Sequence, residues 1–201
     1  MVTTSELPRV YLVRHGETAW TITGQHTGRT DLPLTPRGEE EARGLLLHLN
    51  DLRQATVFTS PLQRARRTCE LAGFAEGARM DPDLVEWDYG EYEGTRTADI
   101  RRERPGWRLY ADGCPDGETA AMVGVRADRV IARVRESPGD AILFAHRDLL
   151  RVLTARWLGL DAREGRLFVM VTASVSELGY DHDLLEPVVR RWNVSSHPEL
   201  H

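Results

Sequence analysis

The segment Val10–Thr18, with the sequence VYLVRHGET, decides the fold that the rest of the chain must adopt. Its first four residues form a continuous apolar run between Arg9 and Arg14, without the alternation that marks a half-exposed strand. Such a run is typical of a strand that is buried on both faces of a parallel sheet. We therefore predict that Val10–Val13 is a central strand and that Arg14 and His15 lie at its carboxyl end.

Further strands are predicted along the rest of the chain. The short apolar runs ATVFT (Ala55–Thr59) and AILFA (Ala141–Ala145) have the length and composition of buried strands. Near the end of the chain, LFVMV (Leu167–Val171), a stretch that ends at Tyr180, and PVVRRW (Pro187–Trp192) are predicted as late strands. The strands are separated by segments with helical periodicity, and this alternation is typical of βαβ units.

Helices are predicted between these strands. Two of them begin where a capping residue precedes a proline, at Thr35-Pro36 and at Ser60-Pro61. We expect an α/β fold: a three-layer sandwich with a mainly parallel central sheet, helices on both faces and an antiparallel late strand. The second of the capped helices covers about residues 62–72, and further helices are predicted at 97–104, 119–135 and 149–158. Residues 81–118 form a long excursion over the sheet edge.

Composition excludes several classes of protein. The chain has 201 residues, of which 41% are hydrophobic and 28% charged, so it is expected to fold as a single domain over residues 1–201 rather than to be disordered. The formal net charge is −5, which argues against a nucleic-acid partner. All 26 basic residues are arginine, so lysine Schiff-base chemistry is excluded.

The sequence also gives expectations about the compartment. Cys69 and Cys114 lie far apart in the chain, and the first ten residues lack the apolar core of a signal peptide. The longest apolar stretches are strand length, so no membrane span is predicted. We expect a reduced, cytoplasmic protein without a disulfide, and the sequence allows a homodimer.

Cationic groups follow three of the predicted elements at the same edge of the sheet. Arg14 and His15 follow the first strand, Arg64 lies in the first turn of the helix after Thr59, and His146 follows the strand at 141–145. Ligands of open parallel sheets bind outside the carboxyl ends of the strands. The set should therefore converge into an anion pocket of the size of a phosphate group, built from guanidinium groups, imidazoles and backbone amides.

Such a pocket can support chemistry as well as binding. A neutral imidazole is a competent nucleophile toward a phosphoryl group whose charge is offset by arginines. The leaving alcohol then needs a proton from a carboxylic acid whose pKa is raised by burial and by the nearby phosphate. The excursion supplies Glu86, Asp88, Glu91 and Glu93 within LVEWDYGEYEG, and the residues alone do not choose among these four.

A set of motifs in this chain resembles the histidine phosphatase superfamily, the relatives of cofactor-dependent phosphoglycerate mutase. The resemblance runs in order from Val10 to Trp192 and is therefore far more specific than the RHG triplet alone. The motifs are LVRHGET (12–18), GRTDLPLTPRGEEEA (28–42), TSPLQRARRT (59–68), VEWDYGEYEG (85–94), DGCPDGET (112–119) and FAHRDLLRVL (144–153).

The resemblance assigns catalytic roles. It implies that His15 is the nucleophile, that Arg14, Arg64 and His146 complete the phosphate pocket, and that Glu86 is the general acid and base. It also implies transfer without a metal or other cofactor, which agrees with the absence of an obvious cluster of Asp, Glu or Cys ligands in the sequence.

The resemblance further implies a set of substrate-side residues. Thr21 falls where many relatives have asparagine or serine, and its hydroxyl is able to donate to a phosphate oxygen. Thr27 and Gly28 match a loop that lines the substrate side, and Tyr89 is implied to be a wall of the pocket. Arg147 and Asp148 depart from the pattern, because many relatives place glycine directly after the histidine that corresponds to His146.

The activity implied is metal-independent hydrolysis of a small phosphomonoester, a sugar phosphate or bisphosphate, through a phosphohistidine. Several segments look most like the sugar-bisphosphate phosphatase branch (sedoheptulose-1,7-bisphosphatase-like). The alternatives are a phosphoglycerate mutase-type phosphoryl transfer and a noncatalytic phosphate-binding or docking module. The resemblance also argues against a mutase, because the mutases carry a longer insertion with a lysine, whereas this chain has a shorter insertion after Glu86 and no lysine.

Two sets of residues stay open at this point. An arginine run either holds a second phosphate of the substrate or forms a solvated helix face, and charge runs are usually solvated. This run consists of Arg101, Arg102, Arg104 and Arg108. The second set has no predicted role and consists of His26, His48, His182, His197 and His201.

Overall fold

The computed structural model describes residues 7–195, which form a six-stranded sheet with helices on both faces. The order across the sheet is β3-β2-β4-β1-β5-β6, so the first strand in the chain is central, as predicted. The strands are β1 (Val10–Arg14), β2 (Thr56–Thr59), β3 (Arg79–Met80), β4 (Ala141–Ala145), β5 (Ser174–Tyr180) and β6 (Pro187–Ser195).

The sheet is parallel on one side of β1 and antiparallel on the other. β1 and β2 both pair with β4 in parallel, and β3 pairs with β2 in parallel. β5 runs antiparallel to β1, and β6 runs antiparallel to β5. The predicted α/β fold with an antiparallel late strand is therefore confirmed, and the carboxyl ends of β1, β2 and β4 meet at one edge.

The helices follow the strands that they connect. The predicted start at Thr35-Pro36 is confirmed, because the Thr35 side chain accepts a hydrogen bond from the amide of Gly38 and Pro36 is the first helical residue. The helices are α1 (Ala19–Thr23), α2 (Pro36–Gly44), α3 (Leu46–Leu49), α4 (Gln63–Leu71), α5 (Thr97–Glu103), α6 (Leu109–Asp112), α7 (Ala120–Glu136) and α8 (Arg147–Trp157).

The core has one layer on each face of the sheet. Val10 and Leu12 of β1 pack on the side that α7 and α8 cover, whereas Tyr11 and Val13 pack on the side of α3 and α4. Alternate side chains of a strand point to opposite faces, so a strand that is apolar throughout must be covered twice. Because helices cover both faces of the sheet, the polar residues that follow the parallel strands lie at the carboxyl edge of the sheet.

The prediction of a strand at Leu167–Val171 is wrong. Residues 162–167 form a 3₁₀-helix and residues 168–173 are irregular. Side chains take the hydrogen bonds that a strand would have given to a neighbour: Arg14 donates to the carbonyl of Met170, and Trp192 donates to that of Val169. β5 occupies the place beside β1 instead.

Three further points concern the expectations about the chain as a whole. Cys69 and Cys114 are buried and unpaired, as predicted. No helix within residues 7–195 is long and apolar enough to cross a bilayer. His197 and His201, for which no role is predicted, lie outside the described residues.

Candidate active site

The cationic residues that the sequence places after three elements meet at the carboxyl edge of the sheet. Arg14 ends β1, Arg64 lies in the first turn of α4, and His146 directly precedes α8. The imidazole rings of His15 and His146 have centroids 5.2 Å apart. The geometric prediction that these four side chains converge is therefore correct.

A cavity of about 110 Å³ opens at this edge, and we call it the edge cavity. It is bordered by six of the residues predicted for the site and, in addition, by residues for which no role was predicted. The predicted residues at its border are Arg14, His15, Thr21, Thr27, Glu86 and Tyr89 in the order of the chain, with Thr21 and Thr27 on the α1 side. Arg64, Gly28 and His146 lie behind this border.

His15 is a buried, neutral imidazole. Its Nδ1 lies 2.7 Å from the carbonyl oxygen of Gly16, and a carbonyl can only accept, so Nδ1 carries the proton. The remaining nitrogen, Nε2, therefore holds a free lone pair. Burial lowers the pKa of His15 well below its ordinary value, and the positive charges of Arg64 and Arg14 lower it further. The ring is thus in the form that acts as a nucleophile.

Arg14 has a hydrogen-bond donor that no protein atom satisfies. One guanidinium nitrogen, Nη1, donates to the carbonyl of Met170 over 2.6 Å. Its Nε is buried and has no partner among the described residues. Burial, together with the charge of Arg147, lowers the pKa of Arg14 to about 10, so it stays protonated. A buried unpaired donor of this kind fits an anionic oxygen.

Arg64 and His146 form a layer behind His15. The Arg64 side chain is fully buried, and its Nε donates to Nδ1 of His146 over 3.2 Å. Nε2 of His146 lies 2.8 Å from the hydroxyl of Ser60 and carries the ring proton, because Nδ1 is the acceptor. Burial lowers the pKa of His146 well below its ordinary value, with Arg64 the next cause. This second imidazole is also neutral.

The remaining guanidinium nitrogens of Arg64 hold the loop that contains Gly28. They donate to the carbonyls of Thr27, Gly28 and Thr30 at 2.9–3.1 Å. Gly28 passes so close to the 85–94 segment that a Cβ atom there would lie 2.5 Å from the carbonyl oxygen of Trp87. A side chain at this position would displace the loop from the edge of the cavity.

The hydroxyl of Thr21 is engaged within its own helix. It accepts from the amide of Thr18 and donates to the carbonyl of Thr18, both over 2.8 Å, and so completes the cap of α1. The predicted hydrogen bond from this hydroxyl to a phosphate oxygen would require it to rotate away from that carbonyl.

Of the four acids in the 84–94 segment, Glu86 alone borders the edge cavity. Three backbone amides donate to its carboxyl group, those of Trp87, Asp148 and Leu149, at 2.9–3.0 Å. Burial raises the pKa of Glu86, as does the negative charge of Asp148, and these effects outweigh the three amides. A buried carboxyl group able to hold a proton therefore faces the cavity.

The other acids of this segment have structural partners. Asp88 contacts Arg29, and Glu93 accepts from the amides of Gly28 and Thr30. Glu91 is exposed. The structure thus separates the four acids among which the residues alone did not choose.

Asp148 is a buried acid that the sequence singled out as a departure from the family pattern. It accepts hydrogen bonds from the hydroxyls of Tyr89 and Tyr110 at 2.7 and 2.8 Å, and it pairs with Arg151 at 2.8 Å. Burial raises the pKa of Asp148, but the positive charges of Arg147 and Arg151 lower it by more, so its pKa lies below the ordinary value. Asp148 is consequently a fixed negative charge beside Glu86.

Two residues near the site escaped the sequence analysis. Arg126 lies on α7, and its side chain is largely buried. It pairs with Glu118 and donates to the carbonyls of Val85 and Glu86, which fixes the segment that carries Glu86. His26, without a predicted role, borders the edge cavity and stacks against Tyr89 with centroids 4.6 Å apart. No sequence signal separates either residue from its neighbours.

A set of side chains within residues 7–195 has the spacing of metal ligands, and it lies away from the edge cavity. Asp181, His182 and Glu186 occupy the exposed turn between β5 and β6, with ligand atoms within 4.8 Å of one another. Exposed acidic groups of this kind are common without an ion, and we assign no metal to them.

Comparison with known proteins agrees with this architecture. A family model described as "Histidine phosphatase superfamily (branch 1)" matches residues 10–195. An acid phosphatase of Mycobacterium tuberculosis is 38% identical over 195 residues, which is 95% of each chain. Sedoheptulose 1,7-bisphosphatase of Saccharomyces cerevisiae is 39% identical over 194 residues, 78% of this chain and 70% of the yeast protein.

A solved structure shows the same fold. The product of an open reading frame of Mycobacterium tuberculosis superposes with a TM-score of 0.89 at 36% identity, over 94% of this chain and 99% of that one. The family model covers nearly the whole described chain, and the resemblance predicted from the motifs is confirmed. The chain belongs to branch 1 of the histidine phosphatase superfamily.

Proposed function

We propose that this chain hydrolyses a small phosphomonoester, a sugar phosphate or bisphosphate, through a phosphohistidine at His15 and without a metal ion. One observation carries the proposal: a neutral imidazole, a buried arginine donor without a partner, and a protonatable carboxyl group border the same cavity of about 110 Å³. These are the nucleophile, the anion clamp and the acid that phosphoryl transfer to histidine needs.

In the first step, Nε2 of His15 attacks the phosphorus atom in line with the leaving oxygen. The N–P bond forms as the P–O bond to the alcohol breaks, and protonated Glu86 gives its proton to the departing oxygen. Arg14 donates to the phosphoryl oxygens and offsets the charge that collects there. Arg64 and His146 act from behind His15, as a positive charge and as a ring that keeps the nucleophile in place.

In the second step, water attacks the phosphohistidine. The carboxylate of Glu86 accepts a proton from the water, the N–P bond breaks, and inorganic phosphate leaves. His15 returns to its neutral form and Glu86 to its protonated form, so the cycle closes without a cofactor. The rate enhancement comes from positioning of the reacting groups and from electrostatic stabilisation in a site that partly excludes water.

Two of the relatives favour hydrolysis over isomerisation by their names, although other relatives at 31–32% identity are named as probable phosphoglycerate mutases. The two relatives described above are named as an acid phosphatase and as a sugar bisphosphatase. A mutase-type phosphoryl transfer is the first alternative, and it differs only in returning the phosphoryl group to a retained product. A noncatalytic phosphate-binding module is the second alternative. Two expectations about the whole chain, that residues 1–201 form a single domain and that the protein forms a homodimer, remain predictions.

The function is tested with purified protein and three types of substrate. We expect release of phosphate from para-nitrophenyl phosphate and from at least one sugar phosphate or bisphosphate, and no isomerisation of 3-phosphoglycerate. Isomerisation that exceeds phosphate release would favour the mutase, and a protein that turns over none of the substrates would favour the binding module.

The substitution Asp148→Asn tests whether Glu86 works as an acid. Removing the negative charge lowers the pKa of Glu86, because that charge raises it. Glu86 then loses its proton at lower pH, so the basic limb of kcat/KM for a sugar phosphate should move to lower pH. With para-nitrophenyl phosphate, whose leaving group needs no proton, the limb should move less. An equal loss of activity at every pH would instead indicate a structural role for Asp148.

A further inference from the structure

A second, larger cavity adjoins the edge cavity. It has a volume of about 410 Å³ and lies between α5, α6, the start of α8 and the 3₁₀-helix at 162–167. Four residues border both cavities, so the two lie side by side: His26, Thr97, Arg147 and Asp148. A phosphate group in the edge cavity would therefore leave this second space open to the rest of the substrate.

The border of the second cavity is strongly basic in an otherwise acidic chain. The formal net charge of the whole chain is −5, yet arginines outnumber carboxylates here by six to two. We call it the arginine cavity, and its arginines are Arg101, Arg108, Arg147, Arg151, Arg163 and Arg166.

The two carboxylates are already paired. Asp148 is bound by Arg151 at 2.8 Å, and Glu164 is bound by Arg166 at 2.9 Å. Arg147 lies 3.8 Å from Asp148, which is beyond hydrogen-bond distance. The arginine cavity thus keeps a positive charge that its own acids do not cancel.

Three other guanidinium groups have no carboxylate partner in the part of the chain that the structure describes. Arg101 donates only through Nε, to the carbonyl of Trp107 over 3.0 Å. The side chains of Arg108 and Arg163 have no hydrogen bond or ion pair within residues 7–195, and both are exposed. Like charges held together repel one another, so an anion that enters the cavity relieves this repulsion and gains forked hydrogen bonds.

We infer that the arginine cavity binds a second phosphate group of the substrate, so that the enzyme prefers sugar bisphosphates to monophosphates. This inference rests on the proposed function, and it narrows the substrate class. Arg108 and Arg163 bind the distal phosphate, and Arg147, at the boundary of the two cavities, contacts the substrate between its phosphates. The hypothesis that the arginine run holds a second phosphate therefore applies to only part of the run. Arg101 and Arg108 border the cavity, whereas Arg102 and Arg104 do not.

Arg102 provides a matched control. It lies on α5 beside Arg101, pairs with Asp99 and does not border either cavity. Replacing it together with Arg104, which also borders neither cavity, removes the same charge as the double replacement in the cavity. Any effect of net charge on the binding of a multiply charged anion therefore appears in this control as well.

Binding is measured by calorimetry in the His15→Ala background, so that turnover does not consume the ligand. The probes are fructose 1,6-bisphosphate and fructose 6-phosphate. The double substitution Arg108→Gln and Arg163→Gln is expected to raise the Kd of the bisphosphate at least about tenfold, and that of the monophosphate much less. The double control, Arg102→Gln and Arg104→Gln, should change neither Kd by more than about twofold.

Three outcomes decide the matter. The distal phosphate site would be overturned if the double substitution raised the Kd of both probes equally. It would also be overturned if both probes bound equally tightly to the protein without that substitution. If that happens while the wild-type protein hydrolyses para-nitrophenyl phosphate, the proposed function still holds. A selective loss of bisphosphate binding in a chain that hydrolyses nothing would support the distal site and reject the hydrolysis.

Discussion

Replacing His15 with alanine is expected to lower kcat for both para-nitrophenyl phosphate and sugar phosphates by a factor of at least about 10⁴. The lost group is the nucleophile itself, and no second imidazole can take its place. The ring of His146 is neutral but is held between Arg64 and Ser60, with Nδ1 accepting and Nε2 donating. Its geometry leaves no lone pair free for phosphorus.

The control for this substitution is His182→Ala. His182 lies in the exposed turn between β5 and β6, with a side chain that is 78% exposed, and its loss should leave kcat unchanged. Thermal unfolding and circular dichroism of both variants establish that the fold is intact. A His15→Ala protein that retains more than about a tenth of the wild-type kcat would reject His15 as the nucleophile.

Replacing Glu86 with glutamine is expected to affect substrates according to their leaving groups. For a sugar phosphate, the departing alcohol needs a proton, so kcat should fall by about 10²–10⁴. For para-nitrophenyl phosphate, the first step proceeds without that proton, but the attack of water on the phosphohistidine still needs a base. A rapid burst of nitrophenol followed by slow turnover is therefore expected.

Stopped-flow absorbance measures this burst, and its amplitude should approach one nitrophenol per active site. Glu91→Gln is the matched control, because Glu91 lies in the same segment but is exposed and does not border the edge cavity. The absence of a burst, with equal losses for both substrates, would show that Glu86 supports the structure of the site without transferring a proton.

Much of the fold could be predicted from local patterns. β1, β2 and β4 are short, continuous apolar runs, and α2 begins at a capping residue followed by proline. The start predicted at Ser60-Pro61 is wrong, because α4 begins at Gln63 and its N-cap residue, Leu62, makes no capping hydrogen bond with its side chain. Since parallel strands share one carboxyl edge, the convergence of His15, Arg64 and His146 follows from the order of these elements. This part of the site was predictable without any comparison.

The rest depended on tertiary contacts that leave no local signal. Leu167–Val171 has the composition of a strand, but side chains from Arg14 and Trp192 use its carbonyls, and β5 takes the position beside β1. Four acids in the 84–94 segment look equivalent by residue type alone; the resemblance implied Glu86, and burial and hydrogen bonding distinguish it in the structure. In the sequence, nothing distinguishes Arg126 from the other arginines of α7. In the structure, it donates hydrogen bonds to the carbonyls of Val85 and Glu86.

The central claim is that a phosphoryl group passes through His15, and trapping the phosphorylated enzyme tests it most directly. Wild-type protein is mixed rapidly with para-nitrophenyl phosphate and quenched in alkali, which preserves phosphohistidine, and the digested protein is analysed by mass spectrometry. We predict phosphorylation on the peptide that contains His15, with fragment ions that place it on that residue. Phosphorylation at another residue, or release of phosphate with no phosphorylated peptide at any time, would contradict the account.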